Sequence, residues 1–252
     1  MTGLDRPLVA TWLGRQPYLD AWRLQEAIAS RVRSGGPDRL LLREHDPVYT
    51  IGKRGSTAHL LSSPGELRRA GASVYQVDRG GDITYHGPGQ LVGYPLVALG
   101  AAPDLLAYVR AVEDALIAVL ASYGVSARRE EGKTGVWVDL ERGLPAKVAA
   151  IGVRVSRGVS THGFALNVST DLAAFDRMIP CGFAHEVASL ARLGVEAEPI
   201  DVGRRCAAAL GERLGRSIAW TEVLRPPRDA EIAADAAVRR ARDLTEAVAI
   251  GS

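Results

Sequence analysis

Glycine and small polar residues crowd the run RGGDITYHGPGQ at 79–90. Four glycines, a proline, a histidine, an arginine and a tyrosine fall within it. Backbone without Cβ atoms can approach a ligand closely, and such loops often carry function. The plainer alternative is a glycine-rich turn between strands. Neither GxxxxGK[ST] nor GxGxxG occurs, so this is not a standard phosphate loop. Cys181 lies in IPCGF, between a proline that stiffens the chain and a glycine that removes bulk. That setting can present a thiolate on a loop, although lone cysteines also serve as small buried hydrophobes. Lys147 opens the apolar stretch AKVAAIGV. Loss of solvation there would lower its pKa, whereas a place at the strand end would let it reach water. His86 and His162, each followed by glycine, are open to ligand contact or to a structural role. His45, His59 and His185 have no metal-ligand spacing with each other or with the cysteines, which predicts no metal. Cys206 falls on the apolar face of a predicted helix and reads as core.

These groups need elements to hold them. Residues 17–33 have helical spacing, with Leu19, Trp22, Leu24 and Ile28. So do residues 103–123, where Pro103 suits the first turn and Gly124 the stop. A further helix is predicted over roughly 201–214. Strands are predicted at 39–44, 72–79, 136–141, 147–156 and 161–169. Arg157-Gly158 would turn the last two into a hairpin. Strands grouped beside helices, without strict βαβ alternation, argue for α+β or a mixed α/β sheet. Pro226-Pro227 marks the expected end of the compact part. The domain is therefore read as 1–222, followed by a helical or disordered tail over 223–252.

The chain has 252 residues, 47% hydrophobic and 24% charged, which excludes a disordered polymer and permits a sizeable core. Lys and Arg number 31 against 29 Asp and Glu, a net charge of +2 that gives no sign of nucleic-acid binding. Two cysteines exclude a disulfide scaffold and fit a reducing compartment. Early Asp5 and Arg6 argue against a signal peptide, and no apolar stretch approaches the roughly 20 residues that span a bilayer. The reading is a cytoplasmic protein without membrane association.

RGGDITYHGPGQLVGYPL at 79–96 resembles the signature of the lipoyl(octanoyl) transferase family. HDPVYTIGKRG at 45–55, GVWV at 135–138, AKVAAIGVRV at 146–155, THGFALNV at 161–168 and IPCGF at 179–183 follow the family's order. The resemblance covers roughly 40–215. It implies the fold of biotin and lipoate protein ligases: one α/β domain around a mixed, mostly antiparallel sheet flanked by helices. It further implies an acyltransferase that moves an octanoyl group from octanoyl-acyl carrier protein to a lysine of a lipoyl domain, through a cysteine thioester and without a cofactor. The implied acceptors are the lipoyl domains of 2-oxoacid dehydrogenase E2 subunits and the glycine cleavage H protein. The family's cysteine falls on Cys181 and its lysine on Lys147. The acyl-binding stretches fall on Arg79, Gly80, Gly81, Asp82, Ile83, Thr84, Tyr85 and His86, on Ala150, Ile151 and Gly152, and on Gly163, Phe164 and Ala165. Many members carry a small polar residue or cysteine where this chain has Ala149-Ala150.

In that chemistry Lys147 would depress the Cys181 pKa and later accept the proton of the incoming amine. Oxyanion donors would come from backbone near Gly182, from 150–152, or from His86. The strands at 148–153 and 163–168 would line an acyl tunnel. Lys53, Arg54, Arg68, Arg69 and Arg79 could form a dock for the acidic carrier protein, or ordinary solvated surface. An ATP-dependent lipoate or biotin ligase on the same fold, or a non-catalytic acyl-binding module, are the competing readings.

Overall fold

The computed structural model describes residues 6–140, 145–179, 186–221 and 242–243. The chain opens with β1 (Leu8–Gln16), α1 (Tyr18–Arg33) and β2 (Asp38–His45). It continues through β3 (Val48–Ile51), α2 (Pro64–Arg69), β4 (Ser73–Gln76), β5 (Ile83–His86) and β6 (Gln90–Leu96). Next come α3 (Leu105–Ala121), β7 (Arg128–Glu130), β8 (Lys133–Asp139), β9 (Pro145–Ser156) and β10 (Val159–Asn167). Then follow β11 (Glu186–Val187), α4 (Pro199–Leu214), β12 (Ile218–Trp220) and β13 (Arg242–Asp243).

The main sheet runs β12-β1-β2-β6-β10-β9-β8-β7, with β11 added beside β9. Its pairings are antiparallel from β2 to β7 and parallel at β1–β2, β1–β12 and β9–β11. This is the mixed, mostly antiparallel arrangement anticipated above. A second sheet, β13-β4-β3-β5, carries residues 83–86 of the glycine-rich region. Its β4 lies within the strand expected at 72–79, whereas β3 and β5 are not expected, because strands of four residues leave too short a period to read. Arg242–Asp243 of the C-terminal tail pair with Tyr75 and Gln76 as extended chain, not as helix.

Helices cover both faces of the main sheet. On one, Val112, Leu116 and Leu120 of α3 and Val202, Cys206 and Leu210 of α4 meet Leu40, Leu42, Val136, Val148 and Leu166. On the other, Ala21, Ile28 and Val32 of α1 meet Leu41, Tyr94, Leu96 and Ala165. Odd and even residues of β2 thus serve opposite cores, as the pleat requires. The N-terminal half of α1 also joins the two sheets, through Tyr18 and Trp22 against Val48 and Val77. Helix α2 is short but well started, with a capping box between Ser63 and Glu66 and Pro64 in its first turn. Arg157 and Gly158 both have positive φ, 51° and 74°, and close the β9–β10 hairpin. Among the described residues no helix is long and apolar enough to cross a membrane.

Candidate acyl-transfer site

Three of the predicted stretches meet at β9. In the β9–β10 ladder Ala150, Ile151 and Gly152 are the register partners of Ala165, Phe164 and Gly163. The loop at 79–82 lies against the same strand, where the Gly80 N–H donates to the Val153 carbonyl at 3.1 Å. On its other side the turn at 52–54 donates three main-chain bonds to that loop: Gly52 N–H to Asp82 O at 3.0 Å, Lys53 N–H to Arg79 O at 3.0 Å, and Arg54 N–H to Gly81 O at 3.2 Å. Gly81 has φ 88°, a conformation glycine adopts freely. A Cβ on Gly163 would stand 2.1 Å from the Gly93 carbonyl oxygen, so only glycine lets β10 and β6 approach this closely.

A register shift in β8–β9 decides where Lys147 points. Val136 pairs with Ala149 and Trp137 with Lys147, leaving Val148 over. Val148 and Ala149 both join the core under α3 and α4. Such a bulge re-aims the next side chain, so Lys147 shares a sheet face with Ala150 and Gly152. Its Nζ stands 4.7 Å from the centroid of the Trp137 ring, at cation–π distance. Its stem runs past Gly135, whose N–H is held by the buried Glu113 carboxylate at 3.0 Å. Glu113 also pairs with Arg110 and Arg129. Cys181, Pro180, Gly182 and His185 lie outside the described residues. The chain on either side is anchored: the Ile179 N–H donates to His59 O at 2.8 Å, and Val187 of β11 is the register partner of Lys147.

The run 83–86 is a strand, so its side chains alternate. Ile83 and Tyr85 pack with Tyr49, Ile51, Leu60 and Leu67. Thr84 and His86 share the opposite face with Thr50. Asp82 is buried, accepts the Ile83 N–H at 2.7 Å, and lies 2.7 Å from Nδ1 of His59. Phe164 points into the α3–α4 core, and Ala165 into the α1 core. Arg79 is 7% exposed and turned inward, with Nε and Nη2 donating to Thr50 Oγ1 at 3.2 and 3.0 Å. That corrects its place in a surface dock, which needs a solvated cation. Lys53, Arg54, Arg68 and Arg69 are exposed.

Both histidines open to a ligand role have protein partners. His162 takes φ 57°, donates its N–H to Gln25 Oε1 at 2.8 Å, and sets Nε2 2.8 Å from Asp78 Oδ1. Asp78 also pairs with Arg154 at 3.1 Å. His86 places Nδ1 2.8 Å from Gln90 Oε1, and its ring stacks on Tyr18. Burial pushes the His86 pKa down to about 3, against the Gln90 bond that raises it, so the ring is neutral. His45 is buried and lowered for the same reason, with Nε2 2.6 Å from the Tyr94 hydroxyl. Cys206 is buried in the core, and burial pushes its thiol up to about 12. Gln90 and Asn167 were not singled out from sequence, although each lies inside a motif. Among the described residues no group of three or more His, Cys, Asp or Glu is placed to hold a metal ion.

Comparison with known proteins agrees with this geometry. The family model of the lipoyl protein ligase A/B catalytic domain matches residues 17–211. An octanoyltransferase of Thermobifida fusca is 50% identical over 182 residues, covering 69% of this chain and 75% of the relative. One from Solibacter usitatus is 50% identical over 195 residues, covering 77% and 86%. Among solved structures, the bipartite lipoate protein ligase of Thermoplasma acidophilum superposes with a TM-score of 0.75 at 18% identity, covering 92% of each chain. A lipoate-protein ligase A bound with ATP gives 0.74 at 17% identity, covering 91% of this chain and 93% of that one. The structural likenesses establish the lipoate ligase fold, and the sequence identities establish the branch within it: the chain belongs to the lipoyl protein ligase A/B family, as an octanoyltransferase acting in protein lipoylation.

Proposed function

We propose that the chain transfers an octanoyl group from octanoyl-acyl carrier protein to a lysine of a lipoyl domain, in the cytoplasm, through a thioester on Cys181. The acceptors are the lipoyl domains of 2-oxoacid dehydrogenase E2 subunits and the glycine cleavage H protein. The Cys181 thiolate attacks the donor carbonyl, and the carrier's sulfur leaves as a thiol, taking the proton of Lys147 and leaving that amine neutral. The amine of the acceptor lysine then attacks the new thioester, the Cys181 thiolate leaves, and Lys147 takes the amine's proton. The first exchange trades one thioester for another. The second forms an amide and is downhill.

Arg79–Asp82, Thr84, His86, Ala150, Gly152, Gly163 and Ala165 form the acyl-binding surface in this reading, and Ile151 and Phe164 back it from the α3–α4 core. Ile83 and Tyr85, packed beneath, hold the strand. The observation that supports the reading most is the register of Lys147 with Val187, which ties the lysine's strand to the chain just after IPCGF. A protonated Lys147 over Trp137 is a cation suited to stabilising a nearby thiolate.

Intact mass spectrometry tests the proposal. Incubation with octanoyl-acyl carrier protein should add one octanoyl group to the chain. Later addition of a lipoyl domain should move it to the acceptor lysine. A Cys181→Ala chain that still acquires the group would refute the thioester. ATP-dependent loading of free octanoate, surviving Cys181→Ser, would point to a ligase instead.

A further inference from the structure

A line of buried polar side chains crosses the site. Arg79 donates to Thr50 Oγ1, and Thr50 Oγ1 lies 3.5 Å from His86 Nε2. His86 Nδ1 lies 2.8 Å from Gln90 Oε1, and Gln90 Nε2 donates to Asn167 Oδ1 at 2.9 Å. Asn167 Nδ2 donates to the Ala188 carbonyl at 3.0 Å, and the Ala188 N–H donates to the Lys147 carbonyl at 3.0 Å. The line therefore links the glycine-rich loop to the strand of Lys147 and to the chain beyond Cys181.

Its direction follows from groups that only accept. The Ala188 carbonyl needs a donor, so Asn167 must present Nδ2 to it and Oδ1 to Gln90. The Tyr85 carbonyl lies 3.2 Å from Gln90 Nε2 and also needs a donor, so Gln90 must present Oε1 to His86. His86 must then carry its proton on Nδ1. A neutral imidazole has one N–H, and Nε2 is left as an acceptor. At the other end, Arg79 fills the acceptor positions of Thr50, whose hydroxyl proton is left for Nε2. No member of the line can be reversed without leaving a buried polar group unmatched.

We propose that Gln90 and Asn167 are positioning residues of the octanoyl-transfer site, which lock His86 in its Nδ1–H tautomer and tie the glycine-rich loop to the chain after Cys181. The proposal rests on the functional reading above and deepens it. It also removes His86 from the candidates for oxyanion stabilisation: its one N–H is held by Gln90, so Nε2 can meet only a donor. The oxyanion donors are then left to main-chain N–H groups.

Long-range 1H–15N correlation spectra read imidazole tautomers directly, with His86 assigned by comparison with His86→Asn. The wild-type chain should show protonated Nδ1 and bare Nε2 at neutral pH. Gln90→Leu should populate the Nε2–H form and lower kcat for octanoyl transfer about tenfold to hundredfold, with KM changed less than about twofold, because misplaced groups cost rate more than binding. Gln90→Glu keeps an acceptor for Nδ1–H, so it should keep the tautomer and retain more kcat than Gln90→Leu. An Nε2–H tautomer in the wild type, or in Gln90→Glu, overturns the proposal, as does unchanged kcat in Gln90→Leu. Should Gln90→Leu fail to fold, the other two spectra and the Gln90→Glu rate still decide, since a full wild-type rate in Gln90→Glu would also refute the relay. A wild-type chain that transfers no octanoyl overturns the functional reading instead, and its tautomer then decides the relay alone.

Discussion

Lys147 and Val187 are register partners across the parallel pair β9–β11, and Val187 follows Cys181 by six positions. The lysine's own strand therefore pairs with the chain that follows the IPCGF motif. On the other side Ile179 is bonded to His59, beside the loop that holds Asp82.

Lys147→Met should raise the Cys181 pKa, because a cation that favours thiolate is gone. Lys147→Arg keeps the charge but is a poor base, so thioester formation should partly survive while transfer to the amine falls. The rate of thiol alkylation against pH checks the first statement. An unchanged midpoint in Lys147→Met would remove the electrostatic role.

The two cysteines should behave oppositely. Cys181→Ala should abolish transfer. Cys206→Ala should keep most of it, at a stability cost of about 1 kcal/mol from a slightly emptied core. Comparable turnover in the two variants would refute this assignment.

Gly163→Ala should be costly despite its small size. The added carbon would lie 2.1 Å from Gly93 O and 2.6 Å from Pro95 Cδ, so strands must separate. Overpacking of this kind costs about 1–3 kcal/mol, and thermal unfolding should show it as a drop in Tm of several degrees. An unshifted Tm would mean that β6 and β10 yield easily.

Acid should destabilise the fold through its buried histidines. The folded pKa of His86 is lowered to about 3, and those of His45 and His162 are lowered too, chiefly by burial. The unfolded chain then binds more protons below about pH 6.5. Stability is thus full above that value and falls as pH drops toward 3, by at most about 1.4 kcal/mol per pH unit for each histidine. Urea midpoints between pH 7.5 and 5 should decline, and His45→Gln should flatten the decline. A slope unchanged by that substitution would show that His45 contributes nothing.

Salt should raise the KM for octanoyl-acyl carrier protein, because exposed Lys53 and Arg54 act over a screening length of about 8–10 Å. A small thioester donor should show little change. The double reversal Lys53→Glu with Arg54→Glu should reproduce high-salt behaviour at low salt, with circular dichroism confirming the fold. Equal salt effects on both donors would return these residues to ordinary surface.

Long apolar periods were legible in advance: α1, α3, α4 and the β9–β10 hairpin all lie close to their expected bounds. β1 is not among the expected strands although LVATWLGRQ is rich in strand-forming residues between Pro7 and Pro17, because Gly14, at φ 63°, and the irregularity between Trp12 and Arg15 break its alternation. The motif residues at 79–86 were legible as a block, but not their division into Thr84 and His86 on one face and Ile83 and Tyr85 on the other. That division depends on pairing with β3, which is a tertiary fact. Arg79 looked like surface charge because nothing local announces Thr50 as its partner. Gln90 and Asn167 were invisible for the same reason. A buried amide differs from an exposed one only in what surrounds it.

The placement of β1 has a consequence for synthesis on the ribosome. One edge of β1 pairs with β2, made soon afterwards, but the other pairs with Ile218–Trp220, near the end of the compact chain. Until those residues emerge, the nascent chain carries an open strand edge. Such an edge invites association with other chains. Ribosome-bound intermediates stopped before residue 218 should therefore call on chaperones more than the finished protein does, since that edge of β1 waits for Ile218–Trp220, far along the chain.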